Sequence, residues 1–193
     1  EKPAALETRL VRILHTNMLR GWGGQSNRIF VECLGAQRAG HEVAVLAPDD
    51  AKLLDRAEAA GMEVWRGYSI KPPAQFWKFL PDWARFRRQV RAWKPDLIHL
   101  HGSQDTWLVV MDRAFSRGPY FPLIRSKHNI WPWRANPANK WLYRRIDAYI
   151  GISQNIVDEH IRAFPGLSGK PMKSICSVPD LEKFAERKDT DWR

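Results

Sequence analysis

Apolar residues in this chain fall into short runs that alternate with longer stretches of helical spacing. Leu10-Val11-Arg12-Ile13-Leu14-His15 predicts a buried first strand. The turn Gly21-Trp22-Gly23-Gly24 leads into a helix from about Gln25 to Arg38. Its Ile29, Phe30, Cys33 and Leu34 recur at helical steps, and Gly40 suits the position just past its end. Glu42 to Ala47 predicts the second strand. Pro48-Asp49-Asp50 turns and caps a helix ending at Gly61, and Met62 to Trp65 is a short strand.

Residues 66–80 read as irregular and aromatic. Pro81 suits the first turn of a helix running to Trp93. Leu97 to His101 reads as a buried strand, Asp105 to Phe115 as a helix, and Phe121 to Ser126 as the next strand. Lys127 to Trp133 is expected to be a loop. A helix near Asn139–Arg145 then leads to a strand from Ala148 to Ile152. Ser153 can N-cap a helix to about Phe164, and Lys173 to Cys176 closes the series. Strands alternating with helices imply right-handed crossovers. The expected fold is Rossmann-like α/β, with a mainly parallel sheet covered on both faces. Ligands in such folds sit beyond the carboxyl ends of the strands.

Residues 1–9 read as a tail and 10–177 as one domain. Residues 178–193, beginning Val178-Pro179-Asp180-Leu181-Glu182-Lys183-Phe184, read as a linker toward a further domain. The chain is expected to be the first half of a two-domain enzyme. Its 193 residues suit one α/β domain with ample core. No apolar run approaches the ~20 residues of a membrane-spanning helix. The first residues lack the cationic-then-apolar pattern of a signal peptide. Cys33 and Cys176 read as small buried hydrophobes rather than a disulfide, which fits a reducing cytoplasm.

Charge changes the picture. The net charge of +10 points to an anionic partner: nucleic acid, anionic lipid or a phosphorylated substrate. Ten tryptophans add aromatic surface suited to membrane interfaces and sugars as well as nucleic acid. No base-readout motif appears, so nucleic acid is disfavoured.

Candidate chemistry gathers at predicted strand ends. Gly23, Gly24 and Gln25 open the first helix, where glycines and free N–H groups let a phosphate or sugar approach. The dinucleotide fingerprint would place Gly where Ser26 stands, so the turn is equally well read as a tight strand–helix connection. His101 and His128 lie at the carboxyl edge, whereas His99 reads as a satisfied core histidine. His99 and His101 share a strand face, but no third ligand is evident, so no metal is expected. Between Phe76 and Lys94, Phe79, Trp83, Phe86, Val90 and Trp93 form an apolar stripe with basic flanks. The plain reading is a sheet-covering helix. The sharper one sets Phe76, Trp77, Arg85 and Arg88 against anionic head groups. Trp131, Trp133, Arg134 and Trp141 suit stacking on sugars or acyl chains, or pinning a loop.

Together these segments resemble the N-terminal domain of a GT-B glycosyltransferase of the large retaining family 4 type. The resemblance rests on ordered motifs. They are Gly23-Gly24, Gly40-His41-Glu42-Val43-Ala44-Val45, Lys94-Pro95-Asp96-Leu97-Ile98-His99-Leu100-His101, His128 after a strand, Asp147-Ala148-Tyr149-Ile150-Gly151-Ile152-Ser153, and the segment 178–184. It implies two Rossmann-like domains around one cleft. The first binds mostly the acceptor and the second mostly the nucleotide-sugar donor. Transfer would retain configuration and need neither metal nor other cofactor. By position, His128 resembles a strand-end histidine that contacts the transferred sugar. Gly23, Gly24, Gln25, His101, Gly102 and Ser153 would bind substrate. Trp77, Arg85, Arg88, Trp131, Trp133 and Arg134 would face the acceptor or membrane. The implied partners are a nucleotide sugar, a saccharide or lipid-linked acceptor such as a lipopolysaccharide core, and a C-terminal donor-binding domain. The implied location is cytoplasmic, peripheral to the membrane. In one departure, Pro179 runs straight into Asp180 where the family usually places Asn-Gly-Val between them. Two alternatives remain: a nucleotide-sugar epimerase of the same architecture, and a basic membrane- or nucleic-acid-binding module.

Overall fold

In the computed structural model, residues 9–176 are described, apart from Arg117, Pro119, Ile130, Pro132 and Trp133. The expected linker over 178–193 and all but the last residue of the tail lie outside the described residues. Seven parallel strands form one sheet: β1 (Arg12–Thr16), β2 (Glu42–Pro48), β3 (Glu63–Tyr68), β4 (Leu97–Leu100), β5 (Leu123–Lys127), β6 (Ala148–Gly151) and β7 (Met172–Ser174). Their spatial order is β3-β2-β1-β4-β5-β6-β7. Six α-helices connect them: α1 (Gly24–Arg38), α2 (Lys52–Ala59), α3 (Phe76–Trp93), α4 (Ser103–Phe115), α5 (Pro137–Tyr143) and α6 (Gln154–Ala163). This is the Rossmann-like α/β fold expected from the alternation of elements.

The sheet is buried on both faces, which is why its strands read as nearly continuous apolar runs. One core joins Ile29 and Cys33 of α1, Val43, Val45 and Ala47 of β2, and Leu53, Leu54 and Ala57 of α2. The other packs Phe79, Phe86 and Val90 of α3, Leu108 and Val109 of α4, and Leu142 and Tyr143 of α5 on Leu14, Leu46, Ile98 and Leu100. Residues two apart on a strand share a face. Leu14 therefore points to the α3–α4 side, while His15 points toward α1.

Two elements depart from expectation. Strand β3 runs on to Tyr68, because Trp65 and Tyr68 are buried against the sheet and Asp49 N donates to Tyr68 O. Helix α3 starts at Phe76, so Pro81 is interior rather than in the first turn. Lys78 N and Phe79 N both donate to Gln75 O, and burial of Phe79 draws that extra turn inward. Asp82 anchors the preceding loop by accepting from Ser69 N, Ser69 Oγ and Ile70 N.

Cys33 is buried as expected, but Cys176, two residues past the end of β7, is exposed. Both are free thiols. No helix among the described residues is long and apolar enough to cross a membrane.

Candidate functional site

Strands β1 and β4 are neighbours in the sheet, with His15 paired to His99. Helix α1 leaves β1 toward one face and α4 leaves β4 toward the other. The two connections diverge, so a crevice opens beyond their carboxyl ends at the topological switch point.

The floor of this crevice is held by Asp105, the third residue of α4 and wholly buried. Its Oδ2 accepts from Thr16 Oγ1 at 2.6 Å, from Gly102 N at 3.1 Å and from His101 N at 3.3 Å. The carboxylate thus ties the end of β1 to the β4–α4 turn. Gly102 is required there for space: a Cβ would lie 2.4 Å from Asp105 Oδ1 and 2.6 Å from Met18 Cγ. From the next strand, Arg125 donates to Gly102 O and Thr106 Oγ1. Gln25 completes the clamp. Its amide nitrogen donates to Asn17 Oδ1 at 3.0 Å and His101 O at 3.2 Å.

Histidines run from the core to the crevice wall. His15 Nδ1 lies 3.1 Å from His101 Nε2, and His101 Nδ1 lies 2.9 Å from His128 Nε2. His99 Nε2 meets Ser126 Oγ at 2.8 Å, so that nitrogen is satisfied as expected of a core histidine, while Nδ1 lies 3.9 Å from Glu32 Oε2. Burial lowers the pKa of His15 to about 4. Burial, then the charges of Arg28 and Arg125, lower that of His128 to about 4. Burial and neighbouring histidines hold His99 and His101 well below the ordinary value. All four are neutral imidazoles at pH 7. A neutral ring at a cleft wall can orient a hydroxyl by donating or accepting.

Gln25, His101, Gly102, His128, Trp131 and Arg134 all line one cleft of about 570 Å³, together with Arg125 and Lys127. Sequence reasoning named the first six, and the fold brings them together. Gly23, Gly24 and Ser153 do not line this hollow. Gly23 is the N-cap of α1 and Gly24 its first residue, both exposed, and neither has a positive φ. Ser153 occupies the N-cap position of α6, but its side chain makes no capping bond; its carbonyl accepts from Ile156 N instead.

Trp77 is 86% exposed and Phe76 52% exposed at the start of α3. Arg88 is exposed, whereas Arg85 is half-buried with its guanidinium 5.6 Å from the Tyr68 ring. Trp133 lies outside the described residues. Trp141 of α5 stacks on Trp107 of α4 at 6.1 Å between ring centres, so it packs helix against helix. Sequence reasoning missed Asp105 and Arg125 as site-shaping residues. Asp105 carried a signal, an acidic residue three positions after Gly102 at a helix start.

Residues 22–176 match the family model described as Glycosyltransferase Family 4. The chain belongs to Glycosyltransferase Family 4.

No curated protein matches it significantly. Among solved structures, a Rickettsia africae glycosyltransferase superposes with a TM-score of 0.70 at 14% identity, covering 94% of this chain and 46% of that one. Acinetobacter baumannii MurG gives 0.63 at 14% identity, covering 94% and 49%. Anabaena HepE in complex with UDP-glucose gives 0.58 at 18% identity, covering 91% and 49%. These likenesses show the fold, that of GT-B glycosyltransferases. This Family 4 chain spans about half the length of the structures it matches.

Proposed function

We propose that this chain is the acceptor-side half of a glycosyltransferase. The enzyme moves a hexosyl unit, with retention, from a nucleotide sugar to a saccharide or lipid-linked acceptor of the cell envelope. The observation that carries this reading is the cleft at the switch point, walled by neutral His128 and floored by the Asp105-anchored turn. Its volume of about 570 Å³ suits a small saccharide or the head of a lipid-linked one. That HepE is seen with UDP-glucose supports a nucleoside-diphosphate sugar as donor.

The chemistry follows from the charges that develop. Retaining transfer builds positive charge on the sugar and negative charge on the leaving diphosphate. Donors fixed in advance stabilise such charge without reorganising. His128 orients a hydroxyl of the transferred sugar, with Nε2 held by His101. The N–H groups at the start of α1, beside Gly23 and Gly24, face the diphosphate. Trp131, 73% exposed at the cleft rim, stacks on the acceptor with Arg134 beside it. A second domain supplies the remaining donor contacts, and the transfer needs no metal.

Trp77 and Trp131 follow strands β3 and β5, so both lie toward the carboxyl edge of the sheet. With the net charge of +10, they fit a peripheral association with the anionic cytoplasmic face of a membrane that carries the acceptor.

The test is a product assay on the complete gene product with a panel of nucleotide sugars and membrane-extracted acceptors. Sugar transfer is the expected result. Inversion of the donor sugar without transfer would favour the epimerase, and no nucleotide release from any donor would favour a binding module.

A further inference from the structure

We propose that His15, His99, His101 and Glu32 form a binding site for a divalent transition-metal ion, zinc foremost, behind the wall of the cleft. Each of the four offers one ligand atom, and these atoms all lie within 4.8 Å of one another. They come from β1, β4, the β4–α4 turn and α1, so an ion there would tie all four together. Sequence reasoning found only His99 and His101. The register that sets His15 beside His99, and the packing of α1 over both, supply the rest.

Tetrahedral zinc with nitrogen and oxygen ligands at about 2.0–2.1 Å places neighbouring ligand atoms roughly 3.3 Å apart. His15 Nδ1 and His101 Nε2, at 3.1 Å, already have that spacing. His99 Nδ1 and Glu32 Oε2 are 3.9 Å apart and close by small side-chain rotations. The three histidines are at most 8% exposed. Imidazole and carboxylate together suit zinc, and also cobalt or nickel.

The second observation concerns the atoms that would not ligate, because metal ligands are oriented by outer partners. His99 Nε2 is held by Ser126 Oγ at 2.8 Å, and His101 Nδ1 by His128 Nε2 at 2.9 Å. Glu32 Oε1 is held by Arg28 Nε at 2.7 Å. Its other oxygen, Oε2, is buried with no hydrogen-bond partner and faces the histidines. A carboxylate with one oxygen anchored by Arg28 and the other turned toward imidazoles offers that second oxygen as a ligand. The Arg28 charge opposes a cation here, so the affinity is expected below that of a cysteine-rich structural zinc site.

The ion would be a clamp rather than a reactant. Ligation through His101 Nε2 leaves the proton on Nδ1. His101 then donates to His128 Nε2, which fixes the His128 tautomer in the cleft.

The test is cobalt and zinc uptake by the purified chain, followed by visible cobalt absorption and by elemental analysis after dialysis. The expected result is one ion per chain. Affinity should fall at least about tenfold in Glu32→Gln and in His99→Gln. It should be unchanged in His41→Ala and Cys176→Ser, with circular dichroism confirming that each variant folds. No stoichiometric uptake by folded wild type would overturn the site. Uptake that survives both ligand changes, or that is lost with Cys176→Ser, would overturn it equally.

Discussion

His101 Nδ1 lies 2.9 Å from His128 Nε2, linking a buried ring to one on the cleft wall. The contact spans β4 and β5, and its geometry depends on the turn that Asp105 fastens beneath it. The site is therefore assembled by the sheet edge rather than by any single loop.

Two glycines in this region are expected to behave in opposite ways. At Gly24 a Cβ would meet nothing within 4 Å, and the residue begins a helix. Gly24→Ala should keep or raise the melting midpoint, since alanine is the better helix former by roughly 0.5–1 kcal/mol. It should lower sugar transfer, because the proposed function sets the diphosphate against the start of α1. At Gly102 the same methyl collides with Asp105 Oδ1 and Met18. Gly102→Ala should lose about 1–3 kcal/mol of stability. Thermal melts beside transfer assays check both. Loss of fold in Gly24→Ala would contradict the functional reading of that glycine.

Stability is expected to fall as the pH drops below about 6.5. Burial holds His15, His128 and His160 at about 4 in the folded chain, against an unfolded value near 6.5. For His160, the charges of Arg125 and Lys127 add to burial. A depressed histidine pKa means that the unfolded chain binds protons first. Stability is complete above 6.5 and declines through the window from 6.5 to 4. Each such group contributes a slope of up to about 1.4 kcal/mol per pH unit. Denaturant melts in chelator at pH 7 and pH 5 measure it. His160→Phe, at a position 4.3 Å from the Tyr149 ring centre, should flatten the slope. An unchanged slope in that variant would remove His160 from this account.

Membrane association is expected to depend on Trp77 more than on the rest of α3. Phe79, Phe86 and Val90 are committed to the core, while Trp77 is 86% exposed. Trp77→Ala should weaken binding to vesicles containing anionic lipid by roughly tenfold, and added salt should weaken it further. Equal binding by wild type and variant in a sedimentation assay would argue against this surface.

Much of the fold was legible because a sheet buried on both faces writes itself as apolar runs between helical stretches. Leu97-Ile98 and Val43 to Ala47 are plain examples. Helix α3 was misplaced at its start, because Pro81 normally marks a first turn. Only the tertiary burial of Phe79 reveals the turn before it. The cleft was legible in outline from His101, Gly102 and His128 at strand ends. The Asp105 anchor, the reach of Arg125 and the approach of His15 to Glu32 were not. The Asp105 anchor depends on β1 lying beside β4 across an intervening 80 residues, the reach of Arg125 on β5 lying beside β4, and the approach of His15 to Glu32 on α1 packing back over β1; none of these has a local signature. Cys176 shows the reverse error: an apolar residue at a predicted strand end reads as core, but it lies past β7 and is exposed.

The central claim is that the cleft bearing His128 is the acceptor-side wall of a sugar-transfer site. The most direct test compares wild type with His128→Ala in the complete gene product, with initial rates measured on one active donor–acceptor pair. The account predicts a kcat reduced by about 100-fold or more, as for loss of a positioned polar catalyst, with the melting midpoint nearly unchanged. Undiminished transfer by a folded His128→Ala enzyme would contradict it.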